Sequence, residues 1–159
     1  MLLKKVNIVV DSRQKGARTE TKVKEFLREH TSLKWERVPG SGALNEKHGL
    51  KGDLYIPGEK NIYCVEVKGY ADDHLTSHVL TSKNPTLLDW WQQTLRESKQ
   101  INKRPLLFFK FDRSKIFVAF EEVPNELYPY IFINRDNYLF FVAVAEDWIT
   151  REEIKFIYE

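Results

Sequence analysis

A chain of 159 residues, 42% hydrophobic and 30% charged, has the length and apolar content for one packed core, which argues against disorder and against a membrane protein. Its longest apolar run, Tyr138 to Ala145, is a strand's length and far short of a bilayer span; no secretory signal is evident, and the single Cys64 rules out an internal disulfide or a cysteine-based zinc site. The net charge of +2 conceals an uneven spread: residues 1–51 hold 12 Lys/Arg against 6 Asp/Glu, while residues 104–159 hold 7 against 10.

Val6 to Val10 reads as a short strand. From Gly16 to His30 the spacing of Val23, Phe26, Leu27 and His30 predicts a helix with one apolar face. Leu33 to Val38 reads as a strand, ended by Pro39-Gly40-Ser41-Gly42, and a basic loop runs on to Gly52. Asp53 to Ile56 and Ile62 to Lys68 form a predicted hairpin around Pro57-Gly58. Gly69 to Lys83 is polar and reads as a mobile loop. Asn84-Pro85 predicts a helix start, with Asn as the cap and Leu88, Trp91, Leu95 and Ser98 on one stripe. Leu106 to Phe111 and Ile116 to Phe120 predict a second hairpin turning at Asp112-Arg113-Ser114. A strand over Tyr138 to Ala145 and a short helix from Thr150, where Thr150 to Glu153 resembles a capping box, close the chain. The expected fold is α/β: a single domain over 1–159 with a mixed sheet flanked by helices, its core at about 13–120 and a C-terminal appendage at about 121–159.

Glu66 and Lys68 stand two apart and share a strand face, while Val65 and Val67 take the other. Taken alone, that pattern also suits a solvated edge strand. Pairing the hairpin around Gly58 to Asn61 sets Leu54 opposite Val65 and Asp53 opposite Glu66. Like charges facing each other there are unfavourable unless a cation lies between them. Mg²⁺, with Mn²⁺ able to substitute, suits such oxygen ligands. Glu20 sits on the buried stripe of the first helix and points toward the sheet, although an acid in a first helical turn also complements the helix dipole. Glu20, Asp53 and Glu66 as metal ligands, with Lys68 to orient the hydroxide, suit phosphodiester hydrolysis.

Gly52-Asp53 followed by Glu66-Val67-Lys68 resembles the signature of PD-(D/E)xK nucleases, with Gly52 in the place of the proline, a departure expected to matter little. Lys15-Gly16-Ala17-Arg18-Thr19-Glu20 and Val38-Pro39-Gly40-Ser41-Gly42 are similar to segments of archaeal-type Holliday junction resolvases. The resemblance covers about residues 13–110 and implies a restriction-endonuclease-like core. It also implies a catalytic serine near the metal, Ser41 before Ser32.

Arg13, Lys15, Arg18 and Lys22 at the first helix, with Lys47 and Lys51 before Asp53, are the expected DNA contacts. Gln92 or Gln93 is a further site-facing candidate, on the resemblance. Trp91 is expected in the core; Trp90 and Trp35 suit packing or base stacking. Asp72, Asp73, His74 and His78 fit a solvated loop better than a zinc site. The leading reading is a Mg²⁺-dependent endonuclease resolving four-way DNA junctions as a homodimer in the cytoplasm, associated with DNA. Other DNA nucleases of the superfamily (restriction-type, single-strand or nicking) are the nearest alternatives, and an inactive DNA-binding module is the alternative of another class.

Overall fold

The computed structural model describes residues 12–40, 50–125 and 127–159, with the side chains of residues 12–14 also outside the description. The strand expected at Val6 to Val10, Ser41, Lys47 and the side chain of Arg13 therefore lie outside the described residues. Within them, seven strands, β1 (Glu36–Arg37), β2 (Leu54–Tyr55), β3 (Tyr63–Tyr70), β4 (Arg104–Phe111), β5 (Phe117–Phe120), β6 (Tyr130–Arg135) and β7 (Tyr138–Val144), form one sheet in the order β1-β2-β3-β4-β5-β7-β6, where β3 and β4 are parallel and every other neighbouring pair is antiparallel. This is an α/β fold with a mixed sheet between helices.

Helix α1 spans Ser12–Thr31, longer than its apolar spacing predicts. Val23 and Leu27 are fully buried and Phe26 packs beside them. The helix ends where Ser32 adopts φ 58°, and the Thr31 hydroxyl accepts hydrogen bonds from the Leu33 N–H and the Trp35 indole. The extended segment beyond it contributes only β1, Glu36–Arg37, because Trp35 turns into the core and its carbonyl accepts a bond from Arg28 Nε.

Strand β2, Leu54–Tyr55, is equally short, for a clear reason. The Asn61 side chain accepts from the Ile56 N–H at 2.8 Å and donates to the Ile56 carbonyl at 2.9 Å. It thus replaces a strand partner at that point. The expected register holds, with Leu54 opposite Val65 on β3, Tyr63–Tyr70.

Between β3 and β4, Arg104–Phe111, the chain crosses over through a four-residue helix α2, His78–Thr81, and the longer α3, Thr86–Gln100. Asn84 does not cap α3; the cap position is Pro85 and carries no side-chain hydrogen bond. The segment before α3, expected as a loose loop, is held by Arg135, whose guanidinium donates to the carbonyls of Val79 and Ser82. Leu87, Leu88, Trp90 and Trp91 of α3 pack on Leu107, Phe109 and Phe140, while α1 covers the opposite face at Val65, Val67 and Phe108. The sheet thus separates two cores.

Residues 121–159 contribute strands to the same sheet. Strand β7, Tyr138–Val144, is inserted between β5, Phe117–Phe120, and β6, Tyr130–Arg135. Helix α4 spans Ala145–Arg151, so Thr150 lies near its end and bonds back to the Glu146 carbonyl instead of capping a start. Phe156 then packs against Trp35, Tyr63 and Trp148. Truncating a buried aromatic of this kind costs about 3–5 kcal/mol, so this segment is integral to the core.

Candidate active site

The β2–β3 register brings two carboxylates together. Asp53 N–H donates to the Val65 carbonyl at 2.7 Å, and its Oδ2 accepts the Val67 N–H at 2.7 Å. One oxygen of Asp53 is therefore fixed to the strand that carries Glu66 and Lys68. This close approach depends on Gly52, whose φ is +80° and where a Cβ would lie 2.6 Å from the Val65 carbonyl oxygen. Proline, with φ held near −65°, does not fit this backbone. The departure from the signature proline, expected to matter little, is required by the local geometry.

Glu20 arrives from α1, which passes so near β3 that a Cβ on Gly69 would overlap the Thr19 side chain. Arg37 Nη2 holds Glu20 Oε2 at 2.7 Å. Burial, and then the neighbouring Asp53 carboxyl, push the Glu20 pKa up to about 7 despite Arg37. Glu66 is more extreme. It is 3% exposed, its Oε1 has no hydrogen-bond partner, and burial together with Glu97 and Asp53 pushes its pKa up to about 11.

These groups line a cleft of 740 Å³, together with Lys68, Tyr70, Gln93 and Glu97. Glu97 was not anticipated from the sequence. It sits on the α3 face that packs on the sheet, where Gln93 Nε2 donates to it at 3.3 Å. The i,i+4 spacing of Gln93 and Glu97 was the available signal. Of the two glutamines considered, Gln93 lines the cleft and Gln92 is exposed.

The cations divide. Lys15 is at the cleft rim, paired through both oxygens with Asp112 at 2.7 and 2.8 Å. Lys15, Arg18 and Lys22 line an adjoining hollow of 290 Å³ with Lys110, and the two cavities share Lys15, Tyr70 and Asp112. Lys51 lines a separate hollow with Tyr55 and Lys103. Ser32, at the exposed end of α1, is not part of the cleft. Trp90 and Trp35 are both buried, Trp90 against Tyr70 and Phe109. His74 packs against Tyr70 and Trp90, while His78 is exposed at the start of α2.

Among the described residues, no three His, Cys, Asp or Glu side chains are already gathered in the geometry of a formed metal site. The carboxyls are instead in hydrogen-bonding reach pairwise, Glu20 with Asp53 and Glu66 with both Asp53 and Glu97. Such contacts require shared protons or a cation between the groups. The buried, unpartnered Glu66 Oε1 and the all-oxygen donor set fit a hard divalent ion.

A mixed sheet that presents Asp53, Glu66 and Lys68 side by side on an antiparallel pair, under a helix bearing Glu20, defines a PD-(D/E)xK nuclease. Residues 11–151 match the family described as "Phage putative PDDEXK endonuclease", and the chain belongs to that family. It is also 40% identical over 156 residues to Protein D14 of Escherichia phage T5, an alignment covering 93% of this chain and 98% of that protein. Nucleases of this superfamily generally use divalent metal ions and act on DNA. No helix among the described residues is long and apolar enough to cross a membrane.

Proposed function

We propose that this chain, acting as one nuclease domain, is a Mg²⁺-dependent DNA endonuclease that cuts branched DNA as a two-fold homodimer inside the cell, associated with DNA. The observation that carries the catalytic part is the buried, unpartnered Glu66 Oε1 beside Asp53, a polar atom for which a cation is the natural partner. Glu20, Asp53 and Glu66 would hold the metal. When bound, Mg²⁺ polarises a phosphoryl oxygen and makes water a competent nucleophile near neutral pH.

The chain's own groups supply the rest. Lys68, on the same face of β3 as Glu66, places positive charge where it develops on the phosphoryl oxygens, and its ammonium orients the attacking water. The Asp53 Oδ2 bond to the β3 backbone keeps the two carboxylates in register as substrate enters. Arg18, Lys22 and Lys110 in the adjoining hollow meet the flanking phosphates, and Lys15 joins them if it exchanges Asp112 for DNA. Arg13, Lys47 and Lys51 are further proposed contacts to DNA, and Ser41 is proposed to assist catalysis, on the resemblance to junction resolvases.

A four-way junction needs two symmetric cuts, and the assigned residues make one centre, so a two-fold dimer supplies the second. Ile131, Phe132 and Leu139 are about half exposed on β6 and β7 and form the candidate interface. The deciding experiment incubates labelled four-way junction, duplex and single-stranded DNA with the protein, with and without Mg²⁺. Junction cleavage only with Mg²⁺ is expected. Cleavage of all three without metal would overturn the mechanism, and duplex nicking by a monomer would overturn the junction assignment alone. Lys68→Ala should lower the cleavage rate by about 100-fold, the scale of losing one transition-state donor.

A further inference from the structure

Helix α3 buries two polar side chains, Thr94 and Ser98, and both are satisfied within the helix. The Thr94 hydroxyl donates to the Trp90 carbonyl and the Ser98 hydroxyl to the Leu95 carbonyl. Glu97, on the same side, cannot do this, because a carboxylate only accepts. Its one donor among the α3 side chains is the Gln93 amide. It lines the same cleft as Glu66, which is 3% exposed and whose Oε1 has no partner. The basic residues of α3 do not help, since Arg96 and Lys99 are exposed and do not line the cleft.

We propose that Glu97 is a fourth cation-binding carboxylate of the centre, aimed by Gln93, so that the divalent ion is held between α3 and β3 as well as between α1 and β2. This rests on the cation-site reading given above. Four carboxyls, those of Glu20, Asp53, Glu66 and Glu97, then line one cleft. Arg37 offsets one of them at Glu20, and Lys68 is the cation nearest in sequence to Glu66. The remaining negative charge matches a divalent cation. The other occupant that would relieve Glu66 and Glu97 is a shared proton, as in acid dyads, and a proton would leave Glu97 without any part in metal affinity.

Mn²⁺ titration of the full chain without DNA, followed by calorimetry, separates the two. Glu97→Gln keeps the shape and the Gln93 contact but removes the charge. It should weaken Mn²⁺ binding by about 10- to 100-fold, the range found when groups around a metal site are changed. The metal-free melting temperature should stay level or rise, since a like charge in the cleft has been removed. Glu97→Asp, shorter but still charged, should bind Mn²⁺ more tightly than Glu97→Gln. Equal affinity in the parent and Glu97→Gln would overturn the proposal while leaving Glu20, Asp53 and Glu66 as the centre. Glu97→Asp binding more weakly than Glu97→Gln, or weakened binding with a lowered metal-free melting temperature, would overturn it in favour of a structural role. No Mn²⁺ binding by the parent would overturn the cation-site reading itself.

Discussion

The two ends of the sheet depart from ordinary burial in opposite directions. At β2 and β3 carboxyls are buried beside one another, whereas at β6 and β7 large apolar side chains face solvent. Between them, β4 and β5 follow the usual rule, with Leu106, Leu107, Phe108, Val118 and Ala119 fully buried. A sheet whose middle is this well packed tolerates poorly solvated carboxyls at one end and an uncovered edge at the other. Each departure is a free-energy cost unless something outside the chain relieves it, a cation at the first and a partner surface at the second.

The largest test of that contrast removes a charge from the buried end. Asp53→Asn or Glu66→Gln should abolish cleavage while leaving DNA binding largely intact, because the proposed phosphate contacts lie in the basic hollow. Near pH 7 Glu66→Gln should also raise the metal-free melting temperature, since it removes the cost of protonating a carboxyl that ionises near 4.5 in the unfolded chain. A Glu66→Gln protein that cuts at the parent rate would remove Glu66 from the centre. The neighbouring backbone should be nearly as sensitive. Gly52→Ala should cost about 1–3 kcal/mol from its left-handed conformation alone, with the contact to the Val65 carbonyl added, and Gly52→Pro should cost more. Urea unfolding of both variants checks this, and a Gly52→Pro variant as stable as the parent would contradict the β2–β3 geometry.

A smaller effect follows from the raised pKa values. Glu20 and Glu66 bind protons more tightly in the folded chain than near 4.5 in the unfolded one, so the folded state carries more protons above that pH. Stability of the metal-free protein is then greatest below about pH 4.5 as far as these groups are concerned. It falls as pH rises toward about 7, where Glu20 ionises, and continues to fall toward about 11 for Glu66. Divalent metal affinity should rise over the same interval, since the ion competes with those protons. Melting curves in chelator and in Mn²⁺ from pH 5 to 8 should converge at the acid end and separate toward the alkaline end. Parallel curves would show that the metal does not contact these carboxyls.

What the sequence showed follows the same division. The buried end was legible because strand alternation and hairpin register are short-range rules: Leu54 opposite Val65 places Asp53 beside Glu66 without further information. Glu97 was not, because its role depends on how α3 rotates over β3, which packing of Leu87, Trp90 and Trp91 decides. The pairing of Lys15 with Asp112, 97 positions apart, is equally a matter of tertiary structure. At the other end β6 was missed although its signal was present. Asp136-Asn137, both at positive φ, join two apolar runs in a two-residue hairpin turn. The placement of β7 between β5 and β6 had no local signal at all.

The smallest expected effect on the folded chain is at the exposed edge, and there the comparison is sharpest. Phe132 is 51% exposed, its ring 4.9 Å from that of Phe141, and β6 has no strand on its outer side in the sheet order. An edge strand with unpaired backbone groups and apolar side chains readily accepts another chain, and a lysine there is the usual deterrent. Phe132→Lys should therefore change the monomer's unfolding free energy by no more than about 0.5 kcal/mol, because little buried contact is lost. In sedimentation at micromolar protein the parent should run as a dimer and Phe132→Lys as a monomer. Cutting of paired strands in a four-way junction should become uncoupled, with single nicks accumulating, while the rate at one strand is kept. A parent that sediments as a monomer, with and without junction DNA, would leave the apolar edge without a role in cleavage. A dimer unaffected by Phe132→Lys would move the interface elsewhere, with the α2 segment, where Leu80 is 76% exposed, the next place to look.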